Sequence, residues 1–276
     1  MLGLGLGVDK GGFVINPFSD ATLAFSLRDL GLGATYVVRV RRDSDNAEQD
    51  FTANEITDGT LESFVGSGNG FVTIVYSKSN DYNMVQNTST QQPKIVNNGV
   101  LIVDNNKPVI EYLNSYFTIP DTIHNTFDNN NFSIAFTFTT FDNTSVKLLF
   151  SDVSSIVFEE RKIGTVFVST DQKLVIGFGD DNTNKTIESN TTININQKYF
   201  VLLKYDGNNS YELKINKQSE DSYNFINAPT NSNSIFIGND SRLTSSRYYN
   251  GYLDNIIFFN GQITNQEEDK LYNELM

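Results

Sequence analysis

The chain has no cysteine and no tryptophan, one histidine and 5 prolines among 276 residues. Without cysteine there is no disulfide framework, no thiolate metal site and no thiol nucleophile. The lone His124 excludes a multi-histidine zinc site within one chain, and no Ser or Asp motif surrounds it to suggest a catalytic triad. No run of about twenty apolar residues occurs, so no membrane-inserted helix is expected. Basic charge is scarce too: 20 Lys plus Arg stand against 33 Asp plus Glu, a net charge of -13, which opposes close approach to phosphate backbones. The one basic cluster, Arg39, Arg41 and Arg42, is followed by Asp43, Asp45 and Glu48 and reads as a neutralised hairpin, so no nucleic-acid partner is expected.

What remains is rich in strand formers. With 21 Phe, 13 Tyr and many Val and Ile, and with few helix-forming stretches, the chain can face two sheets and bury a sizeable core. The opening Met-Leu-Gly-Leu-Gly-Leu-Gly-Val lacks a basic n-region, and Gly3, Gly5 and Gly7 break its apolar run, so it reads as mature sequence. Leu2, Leu4 and Leu6 suit an extended arm that packs against a neighbour, and a frayed terminus is the alternative.

Along the chain, Leu23, Leu27 and Leu30 recur at helical spacing between Asp20 and Gly31, which predicts a short helix over 21–30. A hairpin is expected from Tyr36–Arg42 and Glu48–Thr52, then a second short helix over Thr60–Val65 and a buried strand over Phe71–Tyr76. Short strands follow at 93–96, 99–103 and 109–113. From about Tyr116 strands and turns succeed one another regularly. Phe132, Ile134, Phe136 and Phe138 alternate strictly with Ser133, Ala135 and Thr137, giving one apolar face. Further strands are expected near 146–150, 164–169, 173–178, 199–205, 211–216, 234–238 and 252–259. Thr264 with Glu267 forms a capping box for a closing helix that carries Leu271 and Leu275. The pattern predicts an all-β antiparallel jelly-roll sandwich, divided as an arm (1–20), a small lobe of short helices and strands (21–104) and a jelly roll (105–276).

The order of motifs in the second half resembles the laminin G-like, or concanavalin A-like, jelly rolls. Tyr199-Phe200-Val201-Leu202-Leu203-Lys204-Tyr205-Asp206-Gly207, Glu212-Leu213-Lys214-Ile215-Asn216, Ile237-Gly238, Tyr249-Asn250-Gly251-Tyr252-Leu253-Asp254-Asn255-Ile256 and Thr264-Asn265-Gln266-Glu267 carry it. In the first half, Leu23–Arg28, Val38–Asp50, Leu61–Thr73 and Gln92–Val96 resemble a segment of tailed-bacteriophage virion proteins that carry such jelly rolls. The same segment is similar to part of arabinofuranosidase catalytic domains, but those place Tyr-Asp-Gln-Ser-Gly-Asn-Gly where this chain has Tyr76-Ser77-Lys78-Ser79-Asn80-Asp81-Tyr82.

The resemblance implies a non-enzymatic structural component of the virion. Its implied partners are other virion proteins, sister copies in a homo-oligomer and a host-surface glycan. The alternative it implies is an arabinofuranosidase-type glycoside hydrolase, with Asp240 near the acid/base position and Glu159 or Glu160 as nucleophile candidates by proximity in sequence. A host-encoded secreted lectin is a third reading. Arg242, Arg247, Tyr248, Tyr249 and Tyr252 are candidates for stacking and hydrogen bonding to sugar rings at a sandwich rim. No cofactor is expected; calcium at Asp180 and Asp181, in an oxygen-rich turn without the spacing of an EF-hand loop, is the one metal alternative.

Overall fold

A computed structural model of the chain describes residues 18–33, 35–78, 82–120, 131–152, 163–180, 183–226 and 234–276. The first half contains β1 (Ala21–Ser26), the hairpin β2 (Val38–Arg42) and β3 (Glu48–Phe51), and helices α1 (Ala53–Thr57) and α2 (Thr60–Val65). It continues with β4 (Gly70–Val75), β5 (Met84–Val85), β6 (Lys94–Asn97), β7 (Val100–Leu101), β8 (Val103–Asp104) and β9 (Lys107–Pro108). Then come β10 (Glu111–Leu113), β11 (Phe117–Ile119), β12 (Asn131–Thr140), β13 (Lys147–Ser151), β14 (Thr165–Val168), β15 (Leu174–Asp180) and β16 (Thr183–Glu188). The chain ends with β17 (Lys198–Asp206), β18 (Ser210–Ile215), β19 (Gln218–Asn224), β20 (Ile235–Ile237), β21 (Asn250–Phe259) and α3 (Asn265–Leu275).

Two antiparallel layers face each other. One runs β1-β21-β12-β17-β18-β19; the other runs β5-β11-β20-β13-β14-β15-β16. The short strands of the first half tie the layers together at one end, because β4 pairs with β5 while β6 pairs with β10, which extends along β21. The alternation of β12 has the predicted consequence. Phe132, Ile134, Phe136 and Phe138 enter the main core between the layers, while Ala135 faces a second cluster beneath α3 with Phe200, Ile257, Leu271 and Leu275. The main core also holds Val38, Val72 and Ile95, so the change of pattern near residue 104 is not a break in packing. Each large apolar side chain taken from water there contributes about 1.5–3 kcal/mol.

The expectation of a helix over 21–30 is wrong: Ala21–Ser26 is an edge strand paired with β21, Phe25 opposite Ile256. Leu23, Phe25 and Leu27 alternate at period two and all enter the main core, whereas Ala21, Ala24 and Leu30 serve the second cluster. Leu23 and Leu27 fit both periods. The non-local partner strand decides between them.

The helix α1 was not foreseen. It begins at a capping box in which Thr52 Oγ1 accepts from the Glu55 N–H and the Glu55 carboxylate accepts from the Thr52 N–H. In the hairpin, Arg39 donates to both oxygens of Asp50 and Arg42 to both of Asp45, while buried Arg41 donates to the side-chain oxygens of Gln92 and Asn46.

Candidate functional site

The 239–248 loop, from β20 to β21, gathers the predicted rim residues Arg242, Arg247 and Tyr248. Its ends meet: Gly238 N–H donates to Leu149 O at 2.7 Å and Tyr249 N–H donates to Gly238 O at 2.8 Å. Gly238 has φ +91°, and a Cβ there would stand 2.7 Å from the Tyr112 ring, so the loop leaves the sheet at a position that requires glycine.

Inside the loop, Asn239 and Asp240 are both fully buried. Asp240 Oδ1 accepts from the Arg242 N–H at 3.0 Å and Oδ2 accepts from Arg242 Nε at 2.8 Å and from its Nη2. Arg247 Nη1 lies 3.8 Å from the same oxygen, and the side-chain exposures are 1% for Asp240, 26% for Arg242 and 39% for Arg247. One buried carboxylate thus anchors two guanidinium groups at the surface, and planar donors held this way lose little entropy on pairing with a ligand. Asn239 Oδ1 accepts from the Asp240 N–H at 2.9 Å, and its buried side-chain amide lies beside the Tyr248 hydroxyl.

Beside the arginines, Tyr248 lies 6.3 Å from the ring of Tyr116, which in turn stacks on Phe236 at 5.9 Å. Gln91 Nε2 donates to the Tyr248 hydroxyl at 3.2 Å, so a residue of the first half completes the cluster. Burial, and after it the neighbouring Tyr116, push the Tyr248 hydroxyl above its ordinary pKa. Tyr116, Phe236 and Gln91 are only half-buried, and with Arg242 and Arg247 they form a mixed aromatic and cationic rim.

The predicted residues are therefore not one group. Arg242, Arg247 and Tyr248 come together. Tyr249 is a core residue, fully buried, with its hydroxyl donating to Thr139 O at 2.8 Å and burial holding it well above its ordinary pKa. Its ring has no face for a ligand. Tyr252 packs edge-on against Phe141 at 4.6 Å on the half-buried side of β21.

Asp180 does not project into solvent as the oxygen-rich turn suggested. It is fully buried, and its Oδ2 accepts from the Tyr223 hydroxyl at 2.9 Å and from the Ile226 N–H at 2.8 Å, fastening β19 to the end of β15. Among the described residues no group of three His, Asp or Glu side chains is placed to hold a metal ion. Asp181, Glu159, Glu160, His124 and the arm leucines Leu2, Leu4 and Leu6 lie outside the described residues.

Asp254, a residue of the resembling motif, sits in a bulge of β21 where Thr137 faces Asn255 and Phe138 faces Leu253. It is ion-paired with buried Lys198 at 2.9 Å and accepts from Thr137 Oγ1 and Asn255 Nδ2, each at 2.8 Å. This network is satisfied within the protein.

With this geometry in place, the matching family model is that of the concanavalin A-like lectin/glucanases superfamily, over residues 111–267. The chain belongs to this superfamily. No curated protein sequence matches it. Among solved structures it is similar to a GH54 α-L-arabinofuranosidase soaked with a cyclic sulfate inhibitor, with a TM-score of 0.65 at 10% identity, over 95% of this chain and 65% of the enzyme. An arabinofuranosidase complexed with arabinofuranosyl-α-1,2-xylobiose gives a TM-score of 0.60 at 11% identity, over 95% of this chain and 64% of that one. The chain thus spans just under two thirds of the length of these enzymes. A Ruminococcus gnavus sialidase CBM40 bound to α2,3-sialyllactose aligns with 55% of this chain and 86% of its own, at 13% identity and a TM-score of 0.42. At such identities the arabinofuranosidase likeness is one of fold, and it includes the first half as well as the jelly roll.

Proposed function

We propose that the chain is a non-enzymatic binding protein that holds a glycan at the 239–248 rim and is carried as a structural component of a tailed-phage particle. The observation behind the non-enzymatic part is the condition of Asp240. A general acid must be reachable, within hydrogen-bond distance of the oxygen it protonates. Asp240 is buried, and its oxygens accept from the guanidinium and backbone N–H of Arg242, with Arg247 as a second cation. That surrounding encloses the carboxylate and occupies both of its oxygens. A retaining glycosidase would also need a second carboxyl about 5 Å away, whereas among the described residues the ionic partners of Asp240 are Arg242 and Arg247.

Glycan binding is supported by the chemistry of the rim. Aromatic faces cover the apolar side of a sugar ring, and fixed guanidinium donors suit its hydroxyl or carboxylate oxygens. The superfamily by name includes lectins. The virion assignment draws on the likeness of the first-half segments to phage virion proteins, and other virion proteins and sister copies are the partners it calls for.

A glycan array followed by titration tests the reading. Binding to one glycan class is expected, weakened at least tenfold in Arg247→Ala, whose side chain is the more exposed of the pair. In parallel, 4-nitrophenyl α-L-arabinofuranoside is expected to be left intact. Turnover that disappears in Asp240→Asn would replace this reading with the hydrolase.

A further inference from the structure

Away from the rim, a cavity of about 90 Å³ opens between Asp29, Thr35 and Val37 on one side and the start of α1 on the other. Asp29, Thr35 and Asn54 are exposed at its mouth, and Val37 and Lys78 are buried in it. Lys78 is only 5% exposed; its ammonium keeps contact with the solvent of the cavity, and among the described residues it makes no hydrogen bond or ion pair. The backbone around it is fixed, since Lys78 N–H donates to Ala24 O at 2.9 Å.

An unpaired ammonium in a buried place is costly, and proteins ordinarily pair such a charge. The other buried lysines among the described residues follow that rule: Lys198 meets Asp254 at 2.9 Å, Lys147 meets Asp142 at 2.9 Å, and Lys204 lies 3.8 Å from Glu268. Among the described residues Asp29 is the charge acting on Lys78, and Asp29 Oδ1 is occupied by the Gly31 N–H at 2.8 Å. Around the cavity stand neutral groups able to donate, the Thr52 and Thr35 hydroxyls and the Asn54 amide.

We infer that this cavity is a binding site for a single carboxylate group of a small molecule, with Lys78 supplying the counter-charge. The size admits a group of a few heavy atoms. The charge balance selects the class. One cation faces the ligand and Asp29 stands at the mouth, so a monoanion is neutralised while a phosphate dianion carries a second charge toward Asp29.

The site is independent of the glycan rim and can fail or stand without it. Sodium acetate is the probe, compared with sodium chloride at equal ionic strength and pH 7 by thermal denaturation. In the wild type, acetate should raise the midpoint with saturation; at ten times its dissociation constant the folded-to-unfolded ratio rises about 11-fold. Lys78→Met should abolish that shift while remaining folded, and Asp29→Asn, which retains the oxygen that accepts from Gly31, should tighten acetate binding several-fold. Phosphate, whose exclusion from protein surfaces raises the midpoint of both proteins alike, should give the smaller Lys78-dependent shift, taken as wild type minus Lys78→Met. An acetate effect that does not saturate, that survives in Lys78→Met, or whose Lys78-dependent part phosphate exceeds would overturn the proposal, as would an unchanged acetate affinity in Asp29→Asn.

Discussion

Lys78 also yields a prediction about stability that needs no ligand. Burial pushes its pKa down from 10.5 to about 8, with Asp29 opposing the shift only in part. Below pH 8 the ammonium is charged in both the folded and the unfolded chain, so the full cost of burying it is borne. Between pH 8 and 10.5 the folded chain releases the proton while the unfolded chain keeps it, and stability rises with pH. A shift of this size corresponds to about 3 kcal/mol, at roughly 1.4 kcal/mol per unit.

Lys78→Met keeps most of the apolar stem and removes the charge. In chloride buffer free of carboxylates, the variant should exceed the wild type by about 3 kcal/mol at pH 7, and the gap should close toward pH 10.5 as the wild-type amine loses its proton in the folded state. Urea denaturation followed by far-ultraviolet circular dichroism at half-unit steps of pH measures both. Since the other titrating groups are shared, the difference between the two profiles isolates Lys78. A gap that stays constant from pH 7 to 10.5 would refute the reasoning, because a packing difference alone has no pH dependence.

Three further outcomes follow from particular contacts. Lys198→Met should cost about 3–5 kcal/mol by leaving the Asp254 carboxylate buried and unpaired, and adding Asp254→Asn should recover part of that loss in a double-mutant cycle by urea titration. Thr264→Ala removes the side chain that accepts from the Glu267 N–H; about 1 kcal/mol should be lost, read as a lower denaturation midpoint. Deleting residues 1–12, the proposed assembly arm, should abolish incorporation into particles when purified virions are assayed by mass spectrometry, and unchanged incorporation would remove that role.

The fold was largely legible where burial is one-sided. β12, β17 and β21 carry long apolar faces and anchor the layer, and the Thr264–Glu267 box marks the start of α3 correctly. Strands without such a face leave no signal in the sequence. β19 reads Gln-Ser-Glu-Asp-Ser-Tyr-Asn and buries only Glu220, so its pairing with β18 leaves no hydrophobic period in the sequence. β16 is similar, with Ile187 its one buried residue. β1 failed for the opposite reason: nearly every residue is buried, and a continuous apolar run does not distinguish period two from period 3.6.

The site was legible only as composition. Arg242, Arg247 and the tyrosines stand close together in sequence, which identifies the neighbourhood, but orientation within it depends on contacts that the local sequence cannot carry. Tyr248 and Tyr249 are adjacent and chemically identical; one meets Gln91 at the rim, 157 positions away, and the other donates its hydroxyl to Thr139 O in the core. The same holds for Asp240. Its place before an arginine-containing loop is compatible with an acid/base residue or with an anchor, and the difference lies in Gly238, which turns the chain so that the carboxylate faces inward and the guanidinium groups close over it. Releasing the anchor therefore separates the two roles physically. In Asp240→Asn the amide retains an oxygen for the Arg242 N–H but loses the charge that gathers Arg242 and Arg247, so a binding rim should lose affinity and a catalytic site should lose turnover. A glycan titration and a hydrolysis assay on that one variant distinguish them.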